Sequence, residues 1–309
     1  VKPSQSHNAY SHRISNEVKE AIQAASLPFD LHVAEEVAST MGIVTWARNH
    51  LIEPAAGLTL VAKNQTAGQG QSGVWLSNQA DLKVTLLLPS PPLEALSLIR
   101  AGFAWATAEA IRIAASQKQM NHPFEIGIKL PNDVRILQES KTLKIAGVLA
   151  LFPGQISEHR LMCEKFSWEC PANMMLLGIG VGLTRPQQDA HVKTHLGQKK
   201  LSEIATTLDQ WTAQPAQWND LLVPLLHKIS LVHSLVGEGN LDTLAKMVAK
   251  RFALGKDNKV LLEERGEAPR VVTVLGASRD GVSIEFEGRR DCVAFDKIER
   301  FTPYGFDGV

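Results

Sequence analysis

AGQGQSGVW, residues 67–75, holds G-x-G-x-x-G at Gly68, Gly70 and Gly73, the glycine spacing of a dinucleotide-binding turn. Such a turn needs a strand before it, a helix opening inside the motif and an acidic residue about 20 positions further on. LTLVAKN (58–64) reads as the strand. After Gly73, however, VWLSNQADLKVTLLL runs within a few residues into another strand, 82–88, and a helix begins only past Pro-Leu-Glu near position 93. A pyrophosphate would find no helix N-terminus to sit on, so the glycines belong to a connection between two strands.

The elements around this loop give a mixed α/β pattern. ISNEVKEAIQAAS (14–26) has helical spacing, LHVAEEV (31–37) reads as a strand, and TMGIVTWARNHL (40–51) as a helix. A long helix spans about 92–117, EIGIKL (125–130) is a strand ending in a Pro-Asn-Asp turn, and RIL with LKIAGVLALF forms a hairpin. MMLLGIGVGL (174–183) is a buried strand whose glycines admit a close neighbour. From 200 to 254 the pattern is helical, with Pro224 expected to start or kink one helix. After Gly255 four short strands, NKVLLEE, PRVVTVLGAS, VSIEFEG and DCVAFDK, predict a small β-barrel. The expected organisation is an N-terminal extension with one helix (1–28), a main domain (29–255) and a C-terminal β-domain (256–309).

Lys plus Arg and Asp plus Glu both number 32 in the 309 residues, so no overall field draws the chain to nucleic acid or anionic lipid. Cys163, Cys170 and Cys292 lack any zinc spacing, and a reduced, cytoplasmic setting is expected. The polar, basic start leaves an organelle presequence open. No stretch reads as apolar enough for a membrane span. Function must therefore lie in a local site.

In order, the chain offers Ser39-Thr40, then Gln65-x-Ala67-Gly68-x-Gly70-x-x-Gly73-x-Trp75-x-Ser77, then Lys129-Leu130-Pro131-Asn132-Asp133, then Lys144-Ile145-Ala146-Gly147-Val148-Leu149, then Gly178-Ile179-Gly180-Val181-Gly182. This ordered series resembles the biotin protein ligase family, within the wider biotin and lipoate ligase group. The family forms are S-T-N, Q-x-A-G-R-G-R-x-x-R-x-W, K-W-P-N-D, K-x-x-G-I-L and G-x-G-I-N. The resemblance runs from about 36 to 183, and the terminal β-domain also fits it. It implies an α+β fold: a class II synthetase-like ligase domain, with a mixed sheet packed against helices, followed by an SH3-like barrel.

It also implies an activity in two steps, biotin plus ATP to biotinyl-5'-AMP and then transfer to a lysine of a carboxylase's biotin carrier domain, with Mg²⁺ as the metal. By that likeness Lys144 is the catalytic cation. Ser39, Thr40, Gln65, Gly68, Gly70 and Gly147 belong to the biotin site, and Gln69, Gln71, Trp75, Lys129, Asn132, Asp133 and Gly182 to the nucleotide. A ureido ring offers one acceptor and two donors, which suits the Ser39, Thr40 and Gln65 side chains; Ser39-Thr40 also reads as a helix N-cap. Three departures stand out. Gln69, Gln71 and Val74 or its neighbour occupy the arginine positions in a segment one residue short, Met41 that of the Asn in S-T-N, and Gly182 that of the Asn in G-x-G-I-N. Neutral glutamines do not balance phosphate charge, and strand alternation nominates Lys63, two residues before Gln65, as a compensating cation. Two other readings stay open: lipoate or octanoate attachment, and a ligase-like binder without turnover. The segment before residue 29 is shorter than a DNA-binding winged helix, so repression is not expected.

Overall fold

In a computed structural model the described residues are 16–68, 70, 75, 78–138, 141–152, 169–185, 191–194 and 197–305. A seven-stranded mixed sheet organises the main body. Its strands are β1 (Asp30–Val37), β2 (Leu58–Gln65), β3 (Leu82–Pro89), β4 (Glu125–Lys129), β5 (Asp133–Leu137), β6 (Thr142–Leu151) and β7 (Met174–Val181), in the order β1-β2-β3-β7-β6-β5-β4. Only β1 and β2 run parallel; the other neighbours are antiparallel. β3 and β7 are buried almost throughout and lie in mid-sheet, where both faces are covered.

One face carries the larger core. Helix α1 (16–24) contributes Val18 and Ile22 to it. The main cover is α3 (Leu96–Gln117), whose run of buried alanines lets α5 (Trp218–Gly237) and α6 (Leu241–Ala249) approach closely. The other face carries a smaller core built from Leu60, Leu87, Leu149 and Leu176 under α2 (Ile43–Asn49).

Four expectations are corrected. The helix expected over 40–51 is a 3-10 turn, Thr40–Gly42, followed by α2, because Gly42 and the Ser39 cap tighten its start. Of the two places open to Pro224 the helix start is excluded, because it lies inside α5, which begins at Trp218 on a Gln217–Asp220 capping box. By length and composition α5 is also apolar enough to cross a membrane, although Leu221, Leu222, Leu225, Leu226, Ile229 and Val232 are spent on the core. The C-terminal β-region has five strands, not four: β10 (Lys259–Glu264), β11 (Arg270–Ser278), β12 (Gly281–Phe286), β13 (Arg289–Val293) and β14 (Ile298–Pro303), ordered β13-β12-β11-β10-β14.

This second, antiparallel sheet fits an SH3-like domain. In sequence, β7 is followed by a short antiparallel pair, β8 (His191–Thr194) and β9 (Gly197–Lys200), and by α4 (Leu201–Ile204). Phe252, next to β4 through an isolated bridge with Ile128, packs its ring on Phe301 of β14 at 5.2 Å, so the larger core runs on into the C-terminal sheet.

Candidate active site

A cavity of about 50 Å³ opens on the α2 side of the sheet, and its walls come from separate parts of the chain. One part is polar. Ser39 is extended and caps the 3-10 turn, its Oγ accepting from Met41 N at 3.3 Å. This aims Thr40 at the end of β2, where Gln65 Oε1 accepts from Thr40 N at 2.7 Å and Thr40 Oγ1 at 3.1 Å. Thr85 of β3 donates to Thr40 Oγ1 at 2.9 Å. The amide NH₂ of Gln65 is not used in these bonds and remains a donor for a ligand. Met41, in the place of an expected asparagine, lines the cavity beside Thr85.

The floor is smooth because glycines recur at alternate positions on adjoining strands. Lys83 of β3 pairs with Gly180 of β7, and Gly180 with Gly147 of β6; the next row is Thr85, Gly178, Leu149. Trp75 lies on the first row: a Cβ at Gly180 would stand 2.4 Å from its ring, and one at Gly147 3.0 Å. A Cβ at Gly178 would meet Met41 Sδ at 2.5 Å. The Trp75 indole N–H is buried and has no acceptor among the described residues, a donor that a bound ligand can satisfy. Gly68 holds this tryptophan by its backbone, Trp75 N donating to Gly68 O at 2.9 Å.

The cations arrive on β4, β5 and β6. Lys144 Nζ lies 2.6 Å from Asp133 Oδ1 and 5.5 Å from the Trp75 ring centre. Asn132 donates to Val148 O at 2.8 Å, which leaves its amide oxygen open, and it lines the cavity with Lys144. Burial pushes Lys129 down to about 8, with Arg135, Arg300 and Lys144 adding to that push and Asp133 opposing it.

Ser39, Thr40, Gln65, Gly70, Trp75, Asn132, Lys144 and Gly147 thus line one cavity. Asp133 enters as the ion-pair partner of Lys144, Gly68 as the seat of Trp75, and Lys129 as the half-buried cross-strand neighbour of Asp133. Gly182 is not a lining residue; its N–H bonds Ile145 O at 2.9 Å and its carbonyl accepts from Leu208. Gln69 and Gln71 lie outside the described residues. Lys63 does not line the cavity, because the register Glu36↔Asn64 puts Glu35 beside it and captures its ammonium at 2.6 Å. Lys83, Gly178 and Gly180 are among the lining residues that the sequence reading did not assign to the site. The G-x-G spacing on β7 was the available signal for the glycines; Lys83 had none.

Lys83 is also pulled down to about 8 by burial, with Asp81 opposing. Both Lys83 and Lys129 therefore lose their protons in the native state before they do so in the unfolded chain, whose value stays near 10.5. Between these limits the unfolded chain binds more protons, so stability rises with pH. From pH 8 to 9.5 the wild type is expected to gain about 1.5 kcal/mol per lysine on a Lys83→Met, Lys129→Met variant in urea denaturation. Parallel pH profiles of the two proteins would contradict it.

Residues 33–164 match the family model described as the Biotin/lipoate A/B protein ligase family. No curated protein matches the sequence. Among solved structures, a biotin protein ligase from Aquifex aeolicus in complex with biotin and ATP is 22% identical, with a TM-score of 0.64 over 88% of this chain and 99% of that one. A biotin protein ligase-like protein of unknown function from Silicibacter sp. is 14% identical, with a TM-score of 0.54 over 87% of this chain and 95% of that one. The match of 33–164 takes in most of β1, strands β2 to β6 and the cavity residues from Ser39 to Leu149. Residues 33–164 are thus similar to the biotin/lipoate A/B protein ligase family, and the chain shares the fold of solved biotin protein ligases.

Proposed function

We propose that this protein is an ATP-dependent, AMP-forming ligase that activates biotin and transfers it to a lysine of a biotin carrier domain of a carboxylase. In the first step the biotin carboxylate attacks the α-phosphorus, the bond to the β-phosphate oxygen breaks, and pyrophosphate leaves. In the second a neutral lysine amine attacks the acyl carbon, AMP leaves with the acyl oxygen, and the new amide loses a proton to solvent. The observation that carries this reading is the sharing of one cavity by the polar pair Thr40–Gln65, backed by Thr85, and the cation Lys144. The cluster presents amide and hydroxyl groups to a ureido ring. The ammonium offsets the repulsion of two anionic reactants and the charge growing on phosphorus oxygens. The bound ligands of the Aquifex structure, biotin and ATP, are the pair this cavity would take.

Among the described residues no group of three or more His, Cys, Asp or Glu surrounds a metal position. Asp133 and the open amide oxygen of Asn132 fit an ion carried mainly by phosphate and water, as Mg²⁺ is. Bound there, Mg²⁺ would neutralise phosphate charge.

Incubation with ATP, labelled biotin and a biotin carrier domain is expected to label the carrier. Adenylate without labelled carrier would refute transfer, and biotin binding without adenylate would leave only a binder. Labelling by lipoate and not by biotin would reassign the acyl group; the buried hydrogen-bonding cluster favours biotin, since an apolar chain leaves those groups unpaired.

A further inference from the structure

We propose that Lys83 is the cation that receives the substrate carboxylate, in place of the arginines absent from residues 67–75. This deepens the proposed biotin activation and rests on it. Lys83 is 1% exposed and lines the cavity. Lysines are almost never so buried without a compensating charge. Yet no carboxylate lies within ion-pair distance of its ammonium among the described residues, whereas Lys63 is held by Glu35 and Lys144 by Asp133. Asp81, two residues away, is spent on the backbone: its side chain accepts from the N–H groups of Asn78 and Leu183 at 2.9 and 2.8 Å.

The ammonium itself donates to the carbonyls of Lys63, at 2.8 Å, and Asn78. An ammonium has three N–H donors, so one is left for the cavity. Its position fits the reacting end of the ligand. Lys83 shares a cross-strand row with Gly180 and Gly147, the row on which Trp75 lies, and Lys144 Nζ stands 3.2 Å from a Cβ built at Gly147. Two residues further along β3, on the same face, Thr85 belongs to the polar cluster. A ligand with its ring on Thr40, Gln65 and Thr85 would therefore extend its chain along the glycine row, with Lys83 at one side and Lys144 at the other.

A purely structural lysine, holding Lys63 and Asn78 together, would not distinguish an acid from an amide. Titration calorimetry with biotin and biotinamide separates the two roles. The wild type is expected to bind biotin about tenfold or more tighter than biotinamide, the scale of a charge-assisted hydrogen bond. In Lys83→Met biotin should fall to the level of the amide while amide affinity holds. An acid preference that survives in Lys83→Met, or is absent from the wild type, overturns the proposal. Should Lys83→Met fail to fold, the wild type at pH 7 and 9.5 gives the answer. The charged groups near Lys83 are Asp81, just before its strand, and Lys144, next to Gly147 on the same cross-strand row. Biotin affinity should drop roughly fivefold as Lys83 loses its proton, with biotinamide unaffected; a flat biotin profile refutes it. Wild-type protein that binds neither compound removes the biotin reading itself, and this assignment with it.

Discussion

Lys144→Met is expected to slow biotin-dependent exchange of pyrophosphate into ATP by about 10²–10³-fold, with a much smaller change in the KM for biotin. Two effects add. The variant removes a cation from a partly enclosed site where two anions must meet, and at about 4 Å two unit charges repel by on the order of 4 kcal/mol at an effective dielectric near 20. It also strips Asp133 of its partner at 2.6 Å, so a carboxylate is left facing the incoming phosphate. Asp133→Asn in the Lys144→Met background should therefore recover part of the lost rate. A loss below tenfold in Lys144→Met would take the residue out of the chemistry and leave it an ordinary strand-end lysine.

Gly180→Val should abolish tight biotin binding, by about 100-fold or more, and leave the melting transition nearly unchanged. Atoms added at Gly180 would enter the space of the Trp75 indole, within 2.4–2.8 Å of its ring. They point into the cavity and away from the larger core, so the sheet is not forced apart; the indole must leave its seat across β6 and β7. Trp75→Ala should reproduce much of the loss, and the two substitutions together should cost little more than either alone, because they remove the same contact. Additive losses in the double variant would show that Gly180 acts through something other than Trp75. Gly102 offers a contrast: a Cβ there meets Val232 and Leu244 at 3.0 and 3.2 Å, between α3, α5 and α6. Crowding at that position strains helix packing and does not touch the cavity.

Much of the fold could be read along the chain. Apolar spacing located α1, α3 and strands β1 to β7, and the segment after Gly73 excluded a dinucleotide turn because a strand follows where a helix is required. The Ser39 cap and the Thr40–Gln65 pair were legible for the same reason: a hydroxyl before a turn, and a glutamine at the end of a strand, carry chemistry that shows in residue type. β14 was not, since its Ile298–Pro303 stretch mixes charge and apolar residues and is a strand only by pairing with β10.

The cations show the division most clearly. Lys63, Lys83 and Lys144 all sit on strands; the K-x-x-G pattern marks Lys144, and nothing in their neighbours along the chain ranks the other two. Alternation pointed to Lys63, but its fate was set by Glu35 on the parallel neighbour β1. Lys83 sits in LKVTLLL among residues that read as core, and it is buried because β2 and β7 flank its strand. Side-chain type and local period belong to the chain and survive without a fold. The dielectric around an ammonium, its counter-charge and its distance from a glycine floor come from strands far apart in sequence, and exist only once the sheet has closed.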